Sequence, residues 1–142
     1  MEDREKEYEA KCLCGSVGLK VTAKANKFIV CHCDTCKKWT GGPQFALPCG
    51  TNVEITGKDK ISEFNSSPWA SRGFCRQCGT HLYYRLNHTG DHNVLLGVLD
   101  IEKDEKLELA MQYFIDLKPS YYSLDSSSPV MTEAEVLEMF SS

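Results

Sequence analysis

The sequence lacks an apolar run long enough to cross a bilayer. Its longest, Val94 to Leu99, is short and contains Gly97. No apolar stretch of signal-peptide type follows the charged opening Met1-Glu2-Asp3-Arg4-Glu5-Lys6-Glu7, which predicts a cytosolic, or nuclear, location. A basic excess is missing as well. The formal net charge is −4, so nucleic-acid or anionic-membrane binding is not expected as the main activity. No repeat appears beyond the recurrence of Cys14-Gly15 and Cys78-Gly79, and no βαβ alternation surrounds the cysteines. What is present is a chain of 142 residues, 42% hydrophobic and 25% charged, which fits one globular domain over 1–142 with its core at about 8–122.

The eight cysteines carry most of the information. In a reducing compartment closely spaced cysteines bind metal or do redox work more often than they form disulfides. A secreted disulfide scaffold has neither the leader nor the small size on its side.

Most segments have a period of two. Val17, Leu19 and Val21 alternate with Gly18, Lys20 and Thr22, the pattern of a half-buried strand. Further strands are expected at Lys27–Val30, Gln44–Leu47, Asn52–Thr56, Lys60–Phe64, Ala70–Phe74, His81–Leu86, Asn93–Leu99 and Met111–Leu117. Gly, Pro, Asn and Ser clusters punctuate them, as in antiparallel β architecture. Thr132-Glu133-Ala134-Glu135 has the form of a capping box, with Val136, Leu137 and Phe140 behind it, predicting a short terminal helix after the linker Asp125–Pro129. Glu102–Lys106 reads as a solvated loop.

Cys75-x-x-Cys78-Gly79 has the spacing of a zinc knuckle, which supplies two ligands where structural zinc takes four. Cys12 and Cys14, two apart on an extended chain, project to one face and complete the set. Cys31-x-Cys33-x-x-Cys36 offers three thiolates within six residues, with Cys36 reaching back through a turn at Asp34-Thr35. Three protein ligands and a vacant position distinguish catalytic from structural zinc; Cys49 or a histidine as fourth ligand would close the site. His32 lies between ligands and faces away from the metal if the segment is extended. His81 is a structural histidine or supports a ligand; His88 and His92 are expected on an exposed turn, and Cys49 as a spare buried thiol.

The order CxCG, CHCxxC, FCxxCGT, together with Thr40-Gly41-Gly42-Pro43, Arg72-Gly73-Phe74 and Phe114-Ile115-Asp116-Leu117-Lys118-Pro119, resembles the glutathione-dependent formaldehyde-activating enzyme family, which includes centromere-protein-V-like proteins. The resemblance runs from Cys12 to about Tyr122. It implies a mainly β, Mss4-like arrangement of antiparallel sheets around zinc sites. It further implies Cys12, Cys14, Cys75 and Cys78 as structural zinc ligands, and Cys31, Cys33 and Cys36 as ligands of a second, catalytic-type zinc. The chain departs from the family at Gln112, often His in members, and at Tyr121, often Trp.

Zinc with three thiolates has a net charge near −1 and makes a poor generator of hydroxide, yet accepts a soft fourth ligand such as a thiol. The expected activity is therefore that of a carbon–sulfur lyase on a thiol–aldehyde adduct, with glutathione and formaldehyde as the implied partners. Lys37, Lys38, Arg72 and Lys118 are candidates to meet glutathione carboxylates, though each reads more simply as a surface charge. Two other classes stand beside the enzyme. One is a non-catalytic zinc module binding through Lys37-Lys38-Trp39; the other is a redox sensor releasing metal from Cys31, Cys33 and Cys36 on oxidation.

Overall fold

A computed structural model of the chain describes residues 5–124 and 127–141. Its architecture follows from the period-two segments, which pair into two sheets. The smaller is antiparallel with order β1 (Lys6–Lys11), β2 (Gly18–Ala23), β5 (Val53–Thr56). The larger has seven strands in the order β10 (Glu108–Tyr113), β3 (Lys27–Cys31), β4 (Gln44–Gly50), β9 (His92–Leu95), β8 (His81–Leu86), β7 (Ala70–Cys75), β6 (Ile61–Ser67). All pairs are antiparallel except β10 with β3, which run parallel. The fold is thus mainly β, as the alternation predicts, with one parallel pair at the edge that the alternation does not reveal.

The alternation says which side is wet. Leu19 and Val21 in β2 and Val17 just before it are buried, and they meet Leu47, Leu82, Tyr83 and Val94 of the large sheet. Burial of such side chains, worth about 1.5–3 kcal/mol each, is what holds one sheet on the other. β1 escapes the sequence analysis because its charged residues dominate; only Tyr8 and Ala10 turn inward, and pairing with β2 orders it. The Glu102–Lys106 loop is not purely solvated: Glu105 accepts hydrogen bonds from Tyr8 and from Lys6.

Several boundaries move, two of them by a change of structure. The Asn93–Leu99 segment stops being a strand at Leu95 and continues as a 3₁₀ turn over Leu96–Val98. Likewise β10 ends at Tyr113, and Ile115–Leu117 form a 3₁₀ turn after Phe114, which has φ 58°. Of the expected linker, Asp125 and Ser126 lie outside the described residues. The chain then pairs with the edge of β10: Gln112 N–H donates to the Pro129 carbonyl and Met131 N–H to that of Gln112. That pairing delivers helix α2 (Glu133–Ser141). Its capping box is formed reciprocally, with Glu135 N–H on Thr132 Oγ1 at 3.2 Å and Thr132 N–H on Glu135 Oε1 at 2.8 Å. Among the described residues, no helix is long and apolar enough to cross a membrane.

Candidate metal centres

Cys12 follows the end of β1 in the small sheet, and Cys75 ends β7 in the large one. With Cys14 and Cys78 they bring four sulfurs within 4.8 Å of one another. The Cys12–Cys14 separation is 3.6 Å and Cys14–Cys75 is 3.7 Å. A tetrahedron with metal–sulfur bonds of about 2.3 Å has edges of roughly 3.8 Å, so the donor set fits a zinc-sized ion. A disulfide, at about 2.05 Å, is another geometry altogether, and all eight cysteines are free. Gly15 and Gly79 follow the second cysteine of each pair and both have φ of +81°. That left-handed backbone turns each chain tightly enough for Gly15 N–H to reach the Cys12 carbonyl and Gly79 N–H that of Cys75. The turns also aim donors at sulfur. Val17 N–H lies 3.3 Å from Cys12 Sγ, and the Thr80 hydroxyl and backbone N–H hold the exposed Cys78 thiol down at about 5. This cluster ties the two sheets together at one end.

The second group, Cys31, Cys33 and Cys36, also lies within 4.8 Å, sulfur to sulfur. Its local structure differs from the expected turn at Asp34-Thr35: Asp34–Thr40 is a helix, α1, for which Cys33 is the N-cap. Cys33 Sγ accepts the Cys36 N–H at 3.3 Å, so one side chain is both a cap and a member of the cluster. The three thiols lie in hydrogen-bonding contact with one another. Hydrogen bonds from Cys31, then Cys36, hold Cys33 far below the ordinary thiol range, and contacts with Cys33 and Cys36 plus burial push Cys31 far above it. Three crowded sulfurs cannot all ionise on their own; a divalent cation removes that restriction, so this donor set also fits a metal.

Neither Cys49 nor a histidine joins this group among the described residues. Cys49 is fully buried in the core against the Leu47 carbonyl, the spare thiol of the sequence analysis, and burial pushes it up to about 12. His32 does point away from the sulfurs. It is fully buried, its Nε2–H donates to Gln112 Oε1 at 2.8 Å, and its Nδ1 accepts from the Tyr122 hydroxyl at 2.6 Å. Gln112 Nε2 donates onward to Ser128 Oγ. The Gln112 position thus braces the backbone of the Cys31–Cys33 segment from behind. Burial lowers the affinity of His32 for a proton. His81 stacks on Trp39 at 4.0 Å, and His92, half-buried rather than exposed, packs edge-on against Tyr83; His88 is exposed as expected.

Arg72, most simply a surface charge on sequence alone, is instead buried, at 3% exposure. Its Nη2 lies 3.4 Å from Cys36 Sγ, Nη1 donates to Gln44 Oε1 at 3.0 Å, Nε donates to Ser66 Oγ at 2.9 Å, and the guanidinium covers the Tyr84 ring. A buried cation beside sulfur favours the thiolate form. Lys37 and Lys118 are likewise engaged, the first with the Leu117 carbonyl and Asp34, the second with the carbonyls of Pro119 and Tyr122. Trp39 is no lone aromatic, since Phe64, Phe74 and His81 all pack on it.

The three-cysteine group opens onto a cavity of about 530 Å³. One wall comes from the large sheet, through Ala46, Arg72 and Tyr84; another comes from α2, through Val136, Leu137 and Phe140. The family model of the glutathione-dependent formaldehyde-activating enzymes matches residues 7–116, which takes in all seven clustered cysteines. The chain belongs to this family. It is 30% identical over 132 residues, covering 93% of this chain and 96% of the other, to a Schizosaccharomyces pombe protein named an uncharacterized lyase. A Rhodobacter sphaeroides protein of known crystal structure shares the fold, with a TM-score of 0.59 at 16% identity over 72% of this chain and 99% of that one. The family match stops short of α2, so one wall of the cavity lies beyond it.

Proposed function

We propose that residues 1–142 act as a single domain holding two zinc ions, one on Cys12, Cys14, Cys75 and Cys78 and one on Cys31, Cys33 and Cys36. On this reading the protein is a carbon–sulfur lyase that makes or breaks the bond between a thiol sulfur and the carbon of an aldehyde, in an adduct like S-(hydroxymethyl)glutathione. The observation that carries it is the contrast between the clusters: four sulfurs surround the first, while three sulfurs and a cavity surround the second. Zinc held at the second cluster would supply thiol activation, lowering the pKa of an incoming thiol.

The chain's own residues do the rest. Arg72 offsets the negative charge gathered at Cys36, and the His32–Gln112–Tyr122 network keeps the Cys31–Cys33 backbone in place. The apolar side chains of α2, Val136, Leu137 and Phe140, form one wall of the cavity beside the sulfurs. In the forward direction the thiol loses its proton, sulfur bonds to the carbonyl carbon, and the carbonyl oxygen takes up a proton; the reverse restores aldehyde and thiol. Eight free cysteines suit a reducing compartment, the cytosol above all.

The test is exchange NMR on glutathione and formaldehyde, counting only the rate above the uncatalysed reaction. The zinc-loaded protein should add to that rate and Cys33→Ser should remove the addition. If no thiol perturbs the absorption of the cobalt-substituted protein and no rate is added, the protein is a binding module and the lyase proposal falls.

A further inference from the structure

The lining of the cavity is at odds with a glutathione body. Glutathione carries two carboxylates and one ammonium, so a site that holds it needs free cations. Among the described residues that line the cavity, Asp34 and Glu133 are acidic, and the single cation, Arg72, is already committed to Cys36, Gln44 and Ser66. Lys37 and Lys118 are bound to backbone carbonyls nearby and do not line the space.

What lines it instead is mostly apolar. Trp69 stacks on Phe140 with ring centroids 5.0 Å apart, joining the β6–β7 turn to α2. Tyr84, Phe114, Val136 and Leu137 extend this apolar side of the cavity, while the uncharged polar side chains of Gln44, Ser66, Ser67 and Asn93 lie on its sheet side. Phe114 is the one non-glycine residue with positive φ among those described, a conformation that disfavours a bulky side chain by about 1–2 kcal/mol. Sterically unfavourable backbone of this kind concentrates at ligand clamps, and here it sets a ring into the wall of the cavity.

We infer that the cavity between the three-cysteine cluster and α2 takes an uncharged apolar group, aryl or branched alkyl, attached next to the reacting carbon–sulfur bond. The inference rests on the lyase reading above for the bond but not for the pocket. Either half of the adduct can bring such a group, since a bulky aldehyde and a bulky thiol present the same apolar surface to the walls.

Three pairs separate the possibilities when given to the zinc-loaded protein: glutathione with formaldehyde, glutathione with benzaldehyde, and phenylmethanethiol with formaldehyde. The rate above the uncatalysed one should be about tenfold or more higher for one of the bulky pairs than for the first, the scale by which apolar pockets discriminate. Which bulky pair wins tells which half occupies the cavity. Leu137→Glu, at a position 42% exposed on α2, should cut that ratio by a similar factor. A first pair equal to or faster than both others overturns the inference while leaving the lyase standing.

If no pair is accelerated, binding decides alone. In Trp39→Phe, with Trp69 the remaining indole of the two, phenylmethanethiol should quench emission at about tenfold lower concentration than glutathione, in line with the same apolar discrimination. Equal responses, or none, overturn the inference.

Discussion

Replacing one sulfur in each cluster should have opposite consequences, and the structure says why. Cys12 is 4% exposed and belongs to a cluster that joins the end of β1 to the end of β7, so an ion held there would cross-link two sheets. Zinc sites of this kind contribute about 10–16 kcal/mol of apparent binding energy, against a net stability of about 5–15 kcal/mol for a whole domain. If Cys12→Ser forfeits about a third of that energy, the loss is on the order of 3–5 kcal/mol. At about 2–4 °C per kcal/mol for a chain of this length, melting should fall by roughly 10 °C or more. Cys33→Ser removes a sulfur from a cluster contained in six residues, and serine serves as well as cysteine at the N-cap of α1, where Cys33 Sγ accepts the Cys36 N–H. Its fold should persist while one equivalent of zinc is lost. Elemental analysis and circular-dichroism melting on the two variants give the comparison directly. Cys12→Ser melting with the wild type would refute the cross-link, and global unfolding of Cys33→Ser would make both sites structural.

Thr132→Ala removes the hydroxyl that caps Glu135 N–H and should destabilise α2 by about 1 kcal/mol. Hydrogen exchange at the Val136 amide, which bonds to the Thr132 carbonyl, should accelerate several-fold, with weaker binding of whatever fills the cavity; unchanged protection would mean that packing alone holds the helix. Glu63 is held below the ordinary carboxylate range, first by its hydrogen bonds from Arg85 and then by the Tyr83 hydroxyl, a bridge from β6 to β8 across β7. Because its folded pKa is depressed, the contribution is present above the usual carboxylate value and disappears as pH falls through the lowered one. The difference in denaturation midpoint between wild type and Glu63→Gln should therefore be small but measurable at pH 7 and close as the pH is taken well below the ordinary carboxylate range, whereas a constant gap would assign it to packing.

Several features were determined by local spacing alone. The alternation at Val17, Leu19 and Val21 marks a strand because side chains two apart share a face, and all three are buried. The capping box at Thr132 marks a helix start because its two hydrogen bonds close within four residues. Cys75-x-x-Cys78-Gly79 marks a knuckle for the same reason, since Gly79 N–H closes the turn on the Cys75 carbonyl within the motif, whereas Cys12-Leu13-Cys14, expected to be extended, forms a turn closed by Gly15 N–H on the Cys12 carbonyl.

The long-range juxtapositions were decided by the tertiary structure. Helix α1 carries no apolar period to betray it and forms where Cys33 can cap it. Arg72 looks like any surface arginine until β7 is placed beneath α1 and its guanidinium meets Cys36, thirty-six residues away in sequence. Gln112 and His32 become partners because β10 pairs parallel with β3. That same edge guides the chain through Val130 and Met131, so that α2 comes to wall the cavity beside Cys31, Cys33 and Cys36. None of these follows from spacing, since the order of strands in a sheet is set by how the whole chain buries its apolar faces. The cysteine motifs could be read from the sequence; which side chains surround the three-cysteine group could be known only once the two sheets had closed on their core.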